Sequence, residues 1–135
     1  RALRDMPIGI SAHVCYRALD AALPATLSAT VIDQAIRRAI GFDGLLLSDD
    51  LSMDALSGSL RARARAALAA GCDVALHCNG KPGEMADVAK NVTEMNAAGR
   101  RRWAHAKERK IIDKINNSNI LLNEFNNLMK DDSKA

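Results

Sequence analysis

The sequence predicts an α/β fold in which parallel strands alternate with helices, and three observations support this prediction. Three short apolar segments with strand character lie at residues 8–14, 45–47 and 73–78, and helical segments separate them. Turn residues, mostly glycine, mark the ends of these segments. Connections of this length between successive strands are typical of right-handed parallel crossovers.

The first strand and its helix are indicated by a change in periodicity. Residues 8–14 alternate larger apolar side chains with small ones after Pro7, which ends any preceding helix. Residues 31–39 then place apolar side chains at helical spacing, and Gly41 supplies a C-terminal stop. We therefore expect a strand followed by a helix before the second strand.

The same order repeats in the rest of the chain. Residues 45–47 are three leucines, a short apolar run of the kind found in buried parallel strands. Residues 60–70 are rich in alanine and arginine and have high helix propensity up to Gly71, after which residues 73–78 form a third expected strand. Further helices are expected over residues 84–98, 100–114 and 120–129, with Gly99 interrupting the first two.

Three parallel strands alone would leave two apolar edges without neighbours. We therefore expect these strands to be the last ones of a larger sheet or barrel whose N-terminal half is absent from this chain. The first residue, Arg1, is not methionine, which also suggests a fragment or a processed product.

Composition argues against several classes of partner. The net charge of +3 is too small to indicate nucleic acid or a membrane surface. No apolar run reaches the roughly 18 residues that a membrane span requires, and no signal peptide is visible. The three cysteines form no recognisable disulfide framework and suit a reducing compartment. We therefore expect a cytoplasmic protein that binds neither nucleic acid nor membrane.

Two adjacent carboxylates after the second strand are the strongest candidates for chemistry. Asp49 and Asp50 follow the leucine run directly, and α/β proteins place their sites at the carboxyl ends of strands. Because successive side chains alternate, Asp49 should share a face with Leu45 and Leu47, while Asp50 turns toward the loop and helices. Asp49 could then act as a nucleophile, a base or a metal ligand, with Asp50 bonded to backbone amides. The alternative is a pair of loop-capping aspartates.

Two other catalytic roles for Asp49 and Asp50 fit the sequence less well. The two residues cannot form the acid and nucleophile of a glycosidase. Those two carboxyl groups flank the scissile bond about 5–5.5 Å apart in retaining enzymes, whereas neighbouring side chains on a strand point in opposite directions. A magnesium-dependent phosphate-processing protein could use Asp49 and Asp50, but it requires a glycine-rich phosphate loop that this sequence lacks. An inactive structural fragment is a further alternative. No histidine or cysteine spacing is typical of a metal site, so we expect no metal and no cofactor.

Four segments carry a resemblance to a known family. In order and with natural spacing, SAHVCYRALD, PATLS, IGFDGLLLSDDLSM and RARAALAAGCDVALHCNG resemble the C-terminal part of bacterial β-N-acetylhexosaminidases of glycoside hydrolase family 3. The resemblance implies the C-terminal portion of a (β/α)8 TIM barrel, about three βα units, over residues 1–114. Residues 115–135 would then be a closing amphipathic helix and a charged tail.

The resemblance also implies an activity and three site residues. The family members are retaining hydrolases that release terminal β-linked N-acetylglucosamine from peptidoglycan fragments, such as a muropeptide or a disaccharide, during cell-wall recycling. The first aspartate of the SDD motif forms a covalent glycosyl-enzyme, which corresponds to Asp49. The methionine of the DLSM segment lies near the sugar and corresponds to Met53, and the histidine of SAHV corresponds to His13 at the pocket rim.

Other motifs of the family do not occur in this sequence. These are a lysine-histidine motif with its glycine-rich turn, a mobile aspartate-serine-histidine loop that carries the acid/base, and earlier arginine and aspartate contacts to the sugar. We therefore expect the chain to carry the nucleophile without its acid. It should need the N-terminal half of the barrel for activity and be inactive alone.

Overall fold

A computed structural model of the chain describes residues 3–109 and shows a small parallel sheet packed against helices. Strand β1 comprises Ile8–Ile10 and strand β2 comprises Leu45–Leu47. The two strands pair in parallel over their full lengths. The expected α/β fold with parallel strands is therefore confirmed, and the carboxyl ends of both strands lie at the same edge of the sheet.

A third segment joins the sheet beside β2 but is less regular than predicted. A single parallel bridge links Leu47 to Val74. Beyond this bridge the amide of Leu76 donates to the side-chain oxygen of Ser48 at 2.8 Å and not to a backbone carbonyl. The expected strand over residues 73–78 is therefore reduced to one bridge, because a side chain replaces the next backbone partner.

Asp73 begins this third segment and holds it against the middle of β2. Its amide donates to the carbonyl of Leu46 at 2.7 Å, and its carboxylate accepts the Leu46 amide at 3.0 Å. Both backbone groups of Leu46 are thus bonded to the same residue of the neighbouring segment.

Five helical elements surround the sheet in the described residues. The predicted helix over residues 31–39 has the expected bounds but contains π-type hydrogen bonds, such as that from the Ile40 amide to the Ala35 carbonyl at 2.9 Å. The predicted helix over residues 60–70 is confirmed. The elements are a 3₁₀ turn at Ala25–Leu27, the π-helix Val31–Ala39, α1 at Leu60–Ala70, α2 at Pro82–Asn91 and α3 over residues 97–109.

The ends of two helices follow from local chemistry. The hydroxyl of Ser28 accepts the amide of Val31 at 3.1 Å and so caps the start of the π-helix. Gly41 and Gly71 have positive φ angles of 72° and 115° after the π-helix and α1. The left-handed conformation lets the amide of Gly71 and that of Cys72 bond to the last carbonyls of α1.

The prediction of a strand over residues 8–14 was too long, because β1 ends at Ile10. The amide of Ser11 still donates to the carbonyl of Leu47 at 2.9 Å, and the residues after Ser11 leave the sheet and bond to the 3₁₀ turn. The carbonyl of Ala12 accepts the Thr26 amide at 3.1 Å, and this bond draws the chain away from β2.

The predicted helix over residues 84–98 was also wrong in its end, because α2 stops at Asn91. The side chain of Arg65 donates to the carbonyl of Asn91 at 3.1 Å and satisfies a backbone group that the helix leaves free. Gly99 lies inside α3 and does not interrupt it. A β-carbon at Gly99 would lie 2.6 Å from Cγ of Met95, so glycine permits close packing there. The predicted helix over residues 120–129, and the whole of residues 115–135, lie outside the described residues.

The hydrophobic core lies between β2 and the helices and is built mainly from alanine and leucine. Leu46 belongs to this core, so Leu45 and Leu47 face the other side of the sheet. Among residues 3–109, no helix is long and apolar enough to cross a membrane. The core residues are Ile32, Phe42, Leu46, Leu51, Leu56, Ala64, Ala67, Ala70, Cys72 and Val88.

The outer edge of β1 carries apolar side chains that are open to solvent. Within residues 3–109 the sheet pairs β1 only with β2, so its other edge has no strand partner. Ile10 is 61% exposed and Met6 is 51% exposed beside that edge. An exposed apolar edge of this kind is typical of a strand that pairs with a further strand on that side.

Candidate active site

The carboxylate of Asp50 is held by the protein. It accepts the amide and the hydroxyl of Ser52 at 3.0 and 2.7 Å, and the amide of Cys78 at 3.1 Å. Burial alone would raise the pKa of Asp50, but these hydrogen bonds outweigh it and hold the pKa below its usual value. The expectation that backbone amides satisfy Asp50 is confirmed, and the carboxylate ties the loop after β2 to the end of the third segment.

The carboxylate of Asp49 is less constrained. Its Oδ1 accepts the amide of Asp50 at 2.9 Å, and no other hydrogen bond to this carboxylate is found within the described part of the chain. The residue is partly exposed at the end of β2. Of the two adjacent carboxylates, Asp49 is therefore the one that remains available to a ligand.

His13 lies against the same loop. Its Nε2 is 2.9 Å from the carbonyl oxygen of Asp50, and its Nδ1 is 3.0 Å from the hydroxyl of Thr26. The structure therefore brings His13 to the strand end that carries Asp49. Both of its ring nitrogens already have partners within the protein.

Met53 lies at the surface of the loop that follows Asp50. Its amide donates to the Asp50 carbonyl at 3.2 Å, and 43% of the residue is exposed. The guanidinium of Arg63, in α1, donates to the carbonyls of Met53 and Leu51 at 3.0 and 2.8 Å. This loop is thus held from two sides, by His13 and by Arg63.

Sequence reasoning did not identify Arg63 or Thr26 as parts of this site. In the sequence, Arg63 is one of several arginines on a helix expected to be exposed, and Thr26 lies in a segment expected to be a turn. Their bonds join residues 10 to 13 positions apart, a separation at which neither helical nor strand periodicity gives a signal.

A further histidine lies nearby at the end of the third segment. The side chain of His77 is 5% exposed, and its Nε2 is 3.4 Å from a carboxylate oxygen of Glu84 without hydrogen-bond alignment. No group of three or more histidine, cysteine, aspartate or glutamate side chains suited to a metal ion occurs among residues 3–109.

The residues that form this fold and the site at the end of β2 match a known protein family. Residues 2–110 match the model of the glycosyl hydrolase family 3 N terminal domain. The chain belongs to this family. The expected family assignment is thus confirmed, and the two carboxylates and His13 lie within the matched residues.

Curated relatives of this family are β-hexosaminidases. The β-hexosaminidase of Alkalilimnicola ehrlichii is 47% identical over 76 residues, which are 55% of this chain and 22% of the relative. That of Bordetella parapertussis is 46% identical over 76 residues, 55% of this chain and 21% of the relative. The chain therefore spans about a fifth of the length of these relatives.

Solved structures give the same result. NagZ from Neisseria gonorrhoeae, in complex with N-trifluoroacetyl-D-glucosamine, has a TM-score of 0.60 and 38% identity, covering 70% of this chain and 26% of that one. CbsA from Thermotoga neapolitana has a TM-score of 0.57 and 30% identity, covering 74% of this chain and 24% of that one. The chain is thus a relative of the NagZ-type β-hexosaminidases of family 3.

Proposed function

We propose that this chain supplies the nucleophile of a retaining β-N-acetylhexosaminidase and that the nucleophile is Asp49. The difference between the two adjacent carboxylates carries the proposal. Among residues 3–109, Asp50 accepts three hydrogen bonds that fix a loop, whereas Asp49 accepts one and keeps its second oxygen unbonded at the end of β2. A nucleophile must be held at one oxygen and open at the other.

The proposed substrate is a sugar with a terminal β-linked N-acetylglucosamine, released from a muropeptide or disaccharide of peptidoglycan in the cytoplasm. Its support is the similarity to enzymes named β-hexosaminidase and to a NagZ that was solved with an N-acylated glucosamine. Met53, exposed on the same loop, would pack against the sugar, and His13 would lie at the rim of the pocket.

The proposed reaction is a double displacement. The free oxygen of Asp49 attacks the anomeric carbon, the bond to the leaving-group oxygen breaks, and a covalent glycosyl-enzyme forms. Water then attacks the same carbon, and the bond to Asp49 breaks with retention of configuration. Departure of an ordinary sugar requires a proton from a general acid.

Asp50 does not suit the role of that acid. Its hydrogen bonds favour the carboxylate form and hold its pKa low, whereas a general acid needs a raised pKa. The family's lysine-histidine and aspartate-serine-histidine motifs do not occur in the 135 residues. We therefore propose that the acid comes from an N-terminal barrel half and that the three described parallel segments form a C-terminal portion of the barrel.

A covalent label tests the nucleophile without requiring the acid. A fluorinated N-acetylglucosaminyl donor with a dinitrophenolate leaving group needs no protonation on departure, and the fluorine slows hydrolysis of the adduct. Peptide mapping by mass spectrometry should place one sugar on Asp49. Asp49→Asn should abolish the adduct, and Asp54→Asn, which removes an exposed carboxylate of the same loop, should retain it.

The labelling is run on the full chain alone and on the chain mixed with an N-terminal barrel part of the gonococcal NagZ. We expect adducts in the mixture and hydrolysis of an unactivated disaccharide only in the mixture. An adduct on another residue, or no adduct in either sample, would overturn the assignment of Asp49. Disaccharide hydrolysis by the chain alone would overturn the proposed need for a second half.

A further inference from the structure

We propose that His13 is a positioning residue: with Thr26 behind it, His13 fixes the backbone of Asp50, whose amide orients the Asp49 carboxylate. The inference rests on the proposed role of Asp49 as nucleophile. It assigns His13 an action through the protein, in place of a hydrogen bond to the sugar.

The contact between His13 and Asp50 has a defined direction. A backbone carbonyl can only accept, so Nε2 of His13 carries a proton and donates to the Asp50 oxygen across 2.9 Å. In a neutral imidazole Nδ1 is then the acceptor, and the hydroxyl of Thr26 donates to it across 3.0 Å. Thr26 thereby selects the tautomer that can hold Asp50.

A buried hydroxyl supports Thr26 in turn. The hydroxyl of Ser11 lies 2.8 Å from that of Thr26, and it can donate there once the Thr26 proton is directed to His13. Thr26 is 0% exposed and Ser11 is 6% exposed. In a buried chain of this kind each member orients the next, because an unmade hydrogen bond is costly away from water.

The far end of this chain reaches the candidate nucleophile through Asp50. The carbonyl of Asp50 is held by His13, and its carboxylate is held by the amide of Cys78 at 3.1 Å. The amide of the same residue donates to Oδ1 of Asp49 at 2.9 Å. Since Asp50 is fixed on both sides, its amide sets which oxygen of Asp49 is bonded and which one accepts no hydrogen bond from residues 3–109.

The nitrogens of His13 are not available to a sugar in this arrangement, because both are bonded within the protein. Thr26 and Ser11 are too deeply buried to contact a substrate. Substitutions at Thr26 therefore separate the two possible roles of the histidine, since they alter its orientation without removing any group that a ligand could reach.

The experiment uses the full chain with the barrel part described above and measures the maximal rate and the half-saturating concentration of the fluorinated label. Thr26→Val removes the hydroxyl at nearly constant volume, and Thr26→Ser keeps it. Thr93→Val is the matched control at an exposed position. We expect Thr26→Val to slow the maximal labelling rate about tenfold or more, since small misplacements of reacting groups have effects of this size.

The half-saturating concentration should change by less than about twofold in Thr26→Val, because binding contacts are kept and orientation is lost. Thr26→Ser should restore the rate, and His13→Gln, which can present a donor to the Asp50 carbonyl, should be faster than His13→Ala. An unchanged maximal rate in Thr26→Val would overturn the inference. So would a His13→Ala variant in which only the half-saturating concentration rises.

Two readouts do not depend on the label. Nitrogen-15 spectra of the imidazole should show the proton of His13 on Nε2 in the parent, and hydrogen exchange of the Asp50 amide should accelerate in Thr26→Val but not in Thr93→Val. If Asp49 is not labelled while exchange at Asp50 changes as expected, the proposed nucleophile fails and the positioning arrangement stands. If Asp49 is labelled and Asp50 exchange is unchanged, the positioning inference fails.

Discussion

The carboxylate of Asp73 lies 2.9 Å from the guanidinium of Arg37, and only 3% of the Asp73 side chain is exposed. Its other oxygen accepts Arg102 at 2.9 Å. With its bonds to Leu46, Asp73 connects the π-helix and α3 to the middle of β2. One buried carboxylate therefore joins three elements that precede and follow it in the chain.

Loss of this charge should destabilise the fold strongly. In Asp73→Asn, Arg37 and Arg102 keep their charges without a buried counter-charge, and we expect the free energy of unfolding to fall by about 3–5 kcal/mol. Urea denaturation followed by circular dichroism measures the change. The control is Asp33→Asn, whose pair with Arg38 at 3.0 Å is mostly exposed and should cost less than about 1 kcal/mol. Equal effects of the two substitutions would contradict the role given to Asp73.

Two glycines should respond oppositely to alanine. A β-carbon at Gly44 would meet the carbonyl of Met6 and lie 2.7 Å from the Phe42 ring, so Gly44→Ala should lower the free energy of unfolding by about 1–3 kcal/mol. Gly83, in the first turn of α2, has open space around it. Gly83→Ala should be neutral or stabilising by up to about 1 kcal/mol. Thermal unfolding of both variants gives the sign of each change in stability. A Gly44→Ala variant as stable as the parent would show that the backbone at Gly44 is packed less tightly against Met6 and Phe42 than these distances indicate.

Substitution of Asp50 should mainly lower stability, whereas substitution of Asp49 should mainly abolish labelling. Asp50→Ala removes three accepted hydrogen bonds, including the one that ties the amide of Cys78 to the loop after β2, which should cost about 1.5–3 kcal/mol of unfolding free energy. Asp49→Ala removes one bond and should cost less than about 1 kcal/mol while abolishing the label. Urea denaturation and labelling of each variant provide the comparison. A reversed order of stability would contradict the separate roles.

The loss of stability at acid pH should include a contribution from the protonation of Asp43. Hydrogen bonds from Arg101 and then Arg102 outweigh burial and lower the pKa of Asp43 to about 2. Since the folded pKa is depressed, this stabilisation is present above the unfolded value near 4 and is lost as the pH falls toward about 2. Asp43 is 61% exposed in its side chain, so solvent screening limits the effect to less than about 1 kcal/mol.

The test of Asp43 compares urea midpoints in the acid range with those near neutral pH. Asp43→Asn should be less stable than the parent near neutrality and approach it at low pH. A constant difference between the two proteins across the whole range would exclude the carboxylate as the titrating group.

The three cysteines should react with an aryl disulfide in two classes. Cys15 and Cys78 are exposed, whereas Cys72 is buried and bonded to Ser11 across 3.9 Å. Burial raises the pKa of the Cys72 thiol to about 11, so little thiolate is present near neutral pH. We expect two fast equivalents and one slow equivalent, all three becoming fast in denaturant. Three fast equivalents in the native protein would show that the core around Cys72 opens readily.

Local signals predicted some elements correctly and could not predict others. The bounds of β2 and α1 follow from a leucine run and from an alanine-rich segment before Gly71, which are short-range patterns. The end of α2 depends on Arg65 reaching Asn91, and the continuity of α3 depends on Gly99 packing against Met95. Such contacts between side chains and distant backbone override propensity and leave no periodic trace in the sequence.

The candidate site shows the same division. Alternation along a strand separated Asp49 from Asp50, because that geometry is local. The contact of His13 with Asp50 was not predicted, because it arises only when the segments after β1 and β2 meet. The bonds of His13 to Thr26 and of Arg63 to Met53 were not predicted either, because they have no periodic signal in the sequence. The role of Asp49 in catalysis stays a prediction until the label is mapped.

The double hydrogen bond between Leu46 and Asp73 has a consequence for building hybrid barrels. It fixes the alignment of two neighbouring parallel segments through the amide and the side chain of one aspartate, where the regular backbone ladder is limited to a single bridge. A chimera joined between residues 46 and 73 would inherit the two partners from different parents. Hybrids that keep both residues from one parent should retain the alignment, so this pair marks a segment that exchanges best as one block.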